Sequence, residues 1–203
     1  MVGAGTPEWL IREDAGQAVL LALFLRQALG IRYPDELPPL RGIPPRSVEL
    51  TEAQRDVLDP QWRTYWDMTV EPQANPSPVP LDLVDGFETL LALPSQGSDE
   101  LRAAIEPHAA DALAYARSAH EKYRRDAGSG SGTAYRAYAS AIAGHERRVG
   151  RRAHSFELNV QVLPLTQRGV WWIGALTIAV TDGLRGDVVA FDAAIHPIIA
   201  ELA

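Results

Sequence analysis

The chain has 203 residues, of which 46% are hydrophobic and 22% charged, and it carries a formal net charge of −7. That is enough for one domain with a sizeable core and the balance of an ordinary soluble globular protein. It contains no cysteine, which excludes disulfide frameworks, thiolate metal sites and cysteine nucleophiles.

The charge is unevenly placed: residues 1–100 hold 16 acids and 7 bases, residues 101–203 hold 10 acids and 12 bases. A long nucleic acid needs a more extended basic face than this and is not an expected partner. The bases are 18 Arg and one Lys, Lys122. With the heavy Ala, Gly and Pro usage, that bias points to GC-rich coding and a bacterial source. The longest apolar run near the N-terminus, Ala18 to Leu25, is too short for a membrane span. Glu8, Glu13 and Asp14 make its flank acidic, unlike a signal peptide. A cytoplasmic protein without membrane association is expected.

Thr6-Pro7-Glu8 reads as a helix start, with a capping hydroxyl, Pro at the first position and an acid at the positive dipole end. The helix is expected to run to Leu29, with Gly30 as its stop. Its second half is apolar all round, which means a core helix or one side of an interface. If one chain does not cover it, a homodimer is the natural way to remove it from water.

Five prolines between residues 31 and 50 predict an irregular surface crossing. Thr51-Glu52-Ala53-Gln54 forms a capping-box pattern opening a short helix to Leu58, and Asp59-Pro60 starts another through Thr69. On that second helix Trp62, Tyr65 and Trp66 share one face. Packing into the core is the favoured reading; if exposed, they mark a contact face, because Trp and Tyr dominate binding hot spots. A second Pro-rich crossing leads to a helix expected over Leu81–Leu93. Ser98 is read as the cap of a further helix that Pro107 restarts and that ends near Arg125.

The run GSGSG at 128–132 has a flexible composition and also resembles an artificial linker. It is expected to join two antiparallel Ala-rich helices, the second over Thr133–Val149 with Gly150 past its end, packed as a tight hairpin.

Phe156 to Thr181 is the one long stretch with a clear two-residue period. Phe156, Leu158, Val160 and Val162 alternate with Glu157, Asn159 and Gln161, and the β-branched and aromatic run Val170–Val180 suits an interior strand. With Gly169 in a bulged turn, parity predicts an antiparallel hairpin over 156–181 pairing Val162 with Trp172 and Leu158 with Leu176. From Val188 onward, helical spacing with an Asp187 cap and a Pro197 kink outweighs the alternative of a strand over 187–191. The expected fold is therefore α+β: one domain over 1–203, helical over 1–150, with a small antiparallel sheet and a C-terminal helix over 151–203.

No motif identifies a chemistry. His120-Glu121 and His145-Glu146 begin like a zinc-protease motif, but Arg124 and Val149 stand where its second histidine belongs. His108 with Asp111, and Asp192 with His196, are the weak metal-ligand pairs that any helical protein offers. Glu146, His154 and Glu157 flank the helix-to-strand junction and can converge there. No phosphate loop or nucleophile elbow is present, so no metal or cofactor is assigned.

The most concentrated feature is Arg147, Arg148, Arg151 and Arg152, with His154 beside them. Helix-end arginines satisfy the negative dipole end, and pairing with the acidic N-terminal half is the simplest fate. Left unpaired, their planar donor forks suit a small anionic ligand or an acidic protein partner. The function expected first is a non-enzymatic protein-binding or regulatory module. The alternative is a small hydrolase or metal-dependent enzyme using helix-borne histidines and carboxylates.

Overall fold

Residues 9–44, 50–128 and 131–203 are described by the computed structural model. The first described element is a strand, β1 (Trp9–Asp14), and not part of a helix. Trp9, Ile11 and Glu13 are half-buried on one side while Leu10, Arg12 and Asp14 are exposed, a two-residue period hidden beside the helix-start signal. That signal, at residues 6–8, lies outside the described residues. The helix α1 (Gln17–Leu29) begins eleven residues later than Thr6 and ends, as predicted, at a left-handed Gly30.

The apolar run of α1 is covered within the chain: Leu20, Leu21, Ala22 and Leu25 have no exposed surface. This helix therefore leaves no apolar face that calls for a second copy. Residues 31–44 form the expected irregular crossing, and residues 45–49 of it lie outside the described residues. The crossing is stapled from beneath by buried Arg26, which donates to the carbonyls of Arg32, Pro34 and Leu37 at 2.8–3.2 Å. Burial pulls the Arg26 guanidinium down to about 10, so it stays charged at neutral pH.

The two helices expected over 51–69 are one, α2 (Glu52–Val70), with Pro60 inside it and the Thr51–Gln54 capping box formed. Trp62, Tyr65 and Trp66 are 0–2% exposed. They are core residues, as favoured, and not the contact face. Trp62 donates its indole N–H to the Tyr33 carbonyl at 3.0 Å.

The helix predicted over Leu81–Leu93 is replaced by an antiparallel ribbon, β2 (Leu81–Leu83) and β3 (Ala92–Pro94). The spacing of Val84, Phe87 and Leu91 suits a helix face, yet here these side chains are buried under a turn. Asp85-Gly86 is a turn dipeptide, and Gly86 takes φ +82°, which a helix would not allow. Then come α3 (Asp99–Ile105), a 3₁₀ turn through Pro107, and α4 (Ala109–Gly128). Ser98 precedes α3 without donating or accepting a side-chain cap bond.

Helix α5 (Ser131–Val149) ends at left-handed Gly150. Residues 129–130 of the Gly-Ser run lie outside the described residues. The tight hairpin is not what these helices build: α4 lies along α1, whereas α5 lies along the C-terminal helix α7 (Val188–Leu202). The reason is the sheet between them, which gives each Ala-rich face a larger apolar surface than the other helix offers.

That sheet combines β1 with β4 (Phe156–Leu163), β5 (Val170–Trp172) and β6 (Thr177–Thr181), in the order β1-β4-β6-β5. The alternation read in β4 is present, with Leu158, Val160 and Val162 buried against α5 and α7. Its pairing is different from the prediction. β4 runs parallel to both β1 and β6, and Val162 lies opposite Val180 rather than Trp172. The hairpin exists at smaller scale: the run 170–180 folds on itself, so that β5 and β6 are antiparallel with Trp172 opposite Ile178. Gly169 is not a left-handed turn residue; a Cβ there would lie 2.8 Å from the Trp171 ring.

The turn that breaks the run is held by a carboxylate. Glu71, just past α2, accepts the backbone N–H groups of Ala175 (3.0 Å) and Leu176 (2.6 Å) and the Thr177 hydroxyl (2.8 Å). A Cβ on Gly174 would sit 2.5 Å from that carboxylate, so glycine is required for the close approach.

α7 forms over 188–202 with the Asp187 cap and Pro197 inside it, which decides against a strand over 187–191. Two apolar cores result, one on each face of the sheet. No helix among the described residues is long and apolar enough to cross a membrane.

Candidate functional site

The three parallel strands β1, β4 and β6 end at the same edge of the sheet. The chain leaves β1 toward one face, into α1, and leaves β6 toward the other, through α6 (Asp182–Arg185) into α7. Diverging connections open a crevice beyond the carboxyl ends of such strands, the usual place for a ligand in an open sheet. Here it is a cleft of about 680 Å³, within the range of small-molecule sites.

Its floor is the end of β1. Glu13 is largely buried and accepts the Tyr138 hydroxyl at 2.9 Å and the Arg185 Nε at 2.8 Å. The Tyr123 hydroxyl also addresses this carboxylate. Burial first, then the Glu13 charge, pushes the Tyr138 phenol well above its ordinary range and the Tyr123 phenol up to about 12. Both are protonated donors at neutral pH.

One wall is α4. Tyr115, Ala119 and Tyr123 stand at i, i+4 and i+8 on one stripe that lines the cleft, and the Tyr115 ring packs on Phe24 with centroids 5.6 Å apart. Burial pushes the Tyr115 phenol up to about 12, and its hydroxyl donates to the Arg41 carbonyl at 2.9 Å. The Arg41 N–H donates to Pro164 at 2.8 Å, so the backbone of Arg41 is fixed from both sides. Val188 supplies apolar surface opposite.

The rim carries the most exchangeable interaction. Asp182 Oδ1 accepts its neighbour's N–H, from Gly183, at 2.7 Å. Its Oδ2 pairs with Arg41 and lies 3.7 Å from Lys122. The two cations come from the 31–44 crossing and from α4, and their side chains are 46% and 57% exposed.

Sequence reasoning did not find this cleft. Its parts were visible only for other reasons: Glu13 as an acidic flank and Lys122 as the single lysine. The missing signal was β1. Without a strand over 9–14, nothing places Glu13 beside Asp182.

The predicted site residues fare differently. Arg147, Arg148, Arg151 and Arg152 are exposed, and among the described residues none pairs with an acid of its own chain. Arg151 instead meets His154 at 2.6 Å. The junction residues do not converge: Glu146 accepts the Ala153 N–H, and Glu157 pairs with Arg12 at 3.0 Å.

Among the described residues the histidines form no group of three with acids, although His120 Nδ1 lies 4.0 Å from the Asp14 carboxylate and His196 Nδ1 3.7 Å from that of Asp192. His108 sits in the 3₁₀ turn, and His120 meets the Ala15 carbonyl at 2.8 Å. His196 is bonded to the Asp192 carbonyl at 2.7 Å and to no metal-like cluster. His145 is buried with neither ring nitrogen hydrogen-bonded. No histidine lines the cleft, nor the second hollow, where Asp35, Glu36, Asp67 and Glu71 surround Arg63 stacked on Tyr33. Among the described residues no three His or carboxylate side chains are grouped to hold a metal ion.

Compared with protein-family models, curated proteins and solved structures, the chain matches none.

Proposed function

We propose that this chain is a binding protein whose small, polar ligand sits in the cleft at the carboxyl edge of β1, β4 and β6. The observation that carries the reading is the cleft's construction: a buried polar floor at Glu13, a wall of Tyr115, Ala119 and Tyr123, and two tethered cations at the rim. Such convergence of a few polar groups on a largely apolar cavity is what ligand recognition requires. The grouping of histidine and carboxylate that a hydrolase or metal-dependent enzyme would use lends no support here, because the described histidines stand apart from the cleft. The test is a titration of the intact, isotope-labelled protein with a set of small polar fragments, followed by NMR. Binding should shift the amides of Tyr115, Ala119, Tyr123 and Gly186 together. If every fragment that binds shifts signals elsewhere, the cleft is not the site.

A second reading rests on a separate observation, the four exposed arginines without an acidic partner among the described residues. It makes residues 147–154 the contact for an acidic protein segment, in keeping with a regulatory module. A polyglutamate peptide should bind there and weaken as salt rises, since exposed charges are screened over about 8 Å at physiological ionic strength. Reversing Arg147 and Arg151 to Glu should abolish it without unfolding the protein. Retained binding in that variant ends this reading.

A further inference from the structure

The rim of the cleft already holds a carboxylate, and it belongs to the chain itself. Asp182 Oδ2 occupies the space between Arg41 and Lys122, which approach from two separate segments. Cations brought together in this way define a site for a carboxylate of similar reach. Three features make the occupant replaceable. Both cationic side chains are long and about half exposed. Asp182 keeps an alternative partner in the Gly183 N–H, which its other oxygen already accepts. The backbone under Arg41 is fixed by Tyr115 and Pro164, so the cation stays when its partner leaves.

Beyond the rim, Tyr115, Ala119, Tyr123 and Val188 line the cleft with apolar surface against which a small ring can lie. We infer that the cleft binds a small ring-bearing carboxylate, whose carboxylate takes the place of Asp182 on Arg41 and Lys122 while its ring lies against the apolar lining of Tyr115, Ala119 and Tyr123. Asp182 is then a built-in competitor, holding the cations in place when the cleft is empty and setting an upper bound on affinity. This rests on the binding-protein reading above and adds the ligand's chemistry to it.

The chemistry predicts opposite signs for two kinds of variant. Removing a cation removes a charge-assisted hydrogen bond, whereas removing the competing charge frees both cations for the ligand. Calorimetric titration of the full chain with benzoate tests this, with benzamide and inorganic phosphate as controls. Benzoate should bind saturably, and benzamide, which has the ring without the charge, should bind at least about tenfold more weakly. Lys122→Met and Arg41→Met should each weaken benzoate about tenfold, and Asp182→Asn should tighten it several-fold. Lys122 is exposed, so its variant tests the idea even if an Arg41 variant folds poorly.

Equal affinity for benzamide, binding of phosphate but not benzoate, or weaker benzoate binding in Asp182→Asn each overturns the inference. If neutral fragments still shift the cleft amides in that event, the binding-protein reading stands and only the ligand class is wrong. If nothing shifts them, both fail.

Discussion

Two carboxylates in this molecule are each met by three donors, and they are held in opposite ways. Glu71 is gripped by two backbone N–H groups and a hydroxyl of one tight turn, with Gly174 pressed against it. Asp182 is met by the ends of two long, half-exposed side chains. Donors fixed in the backbone cannot follow a departing anion, and a Cβ-free contact leaves no room for a replacement. Side-chain cations can turn to a new partner at small cost. The first arrangement is a fastener between α2 and the β5–β6 hairpin; the second is a place where an anion can be exchanged.

The contrast can be broken most severely at the fastener. Gly174→Ala forces a methyl group into the Glu71 carboxylate and should cost about 3 kcal/mol of stability, by overpacking and by loss of charge-assisted bonds. Glu71→Gln keeps the shape but turns an amide toward backbone donors, and about 2 kcal/mol is expected. Chemical denaturation of the intact protein measures both. Neither change should alter benzoate binding by more than a small factor, because the turn lies away from the cleft. A fastener that also carries the function would lose both together.

The exchangeable site should behave in the reverse way. Asp182→Asn removes a partly exposed ion pair, worth roughly 0.5 kcal/mol or less, and retains the oxygen that accepts the Gly183 N–H. The melting temperature should barely move while ligand affinity rises. A large loss of stability in this variant would place Asp182 with Glu71, as part of the scaffold.

The difference between the two sites also explains what the sequence made legible. Periodicity found β4 and α7, Gly30 and Gly150 marked two helix ends, and the Thr51 capping box formed as read, because each signal is local. Glu71 and Asp182 carry no local signal. Each acquires its role from residues distant in the chain, Glu71 from 175–177 and Asp182 from Arg41 and Lys122, brought near by the fold. The register prediction failed for the same reason. Trp172 and Ile178 do share a core with Leu158, Val160 and Val162, but Leu176 is exposed; parity was applied to a hairpin between neighbours, whereas β4 pairs with β1, about 145 residues earlier.

A near-continuous apolar run such as Val170–Val180 equally describes a buried parallel strand, and the helix-start pattern at Thr6 masked the strand that would have suggested one. The helix expected over Leu81–Leu93 shows the converse error. Val84, Phe87 and Leu91 fit a helical face, yet the two-residue Asp85-Gly86 turn decided the structure.

The central claim is that one of these carboxylates yields its place to a ligand and the other does not. Its most direct test follows the side-chain carboxyl carbons of Asp182 and Glu71 by ¹³C NMR while benzoate is added to the labelled full-length protein. The Asp182 carboxyl signal should move with the binding curve, as it exchanges guanidinium and ammonium partners for water, while the Glu71 signal stays where it began. An Asp182 signal that remains fixed at saturation, or a Glu71 signal that moves in its place, would contradict the account.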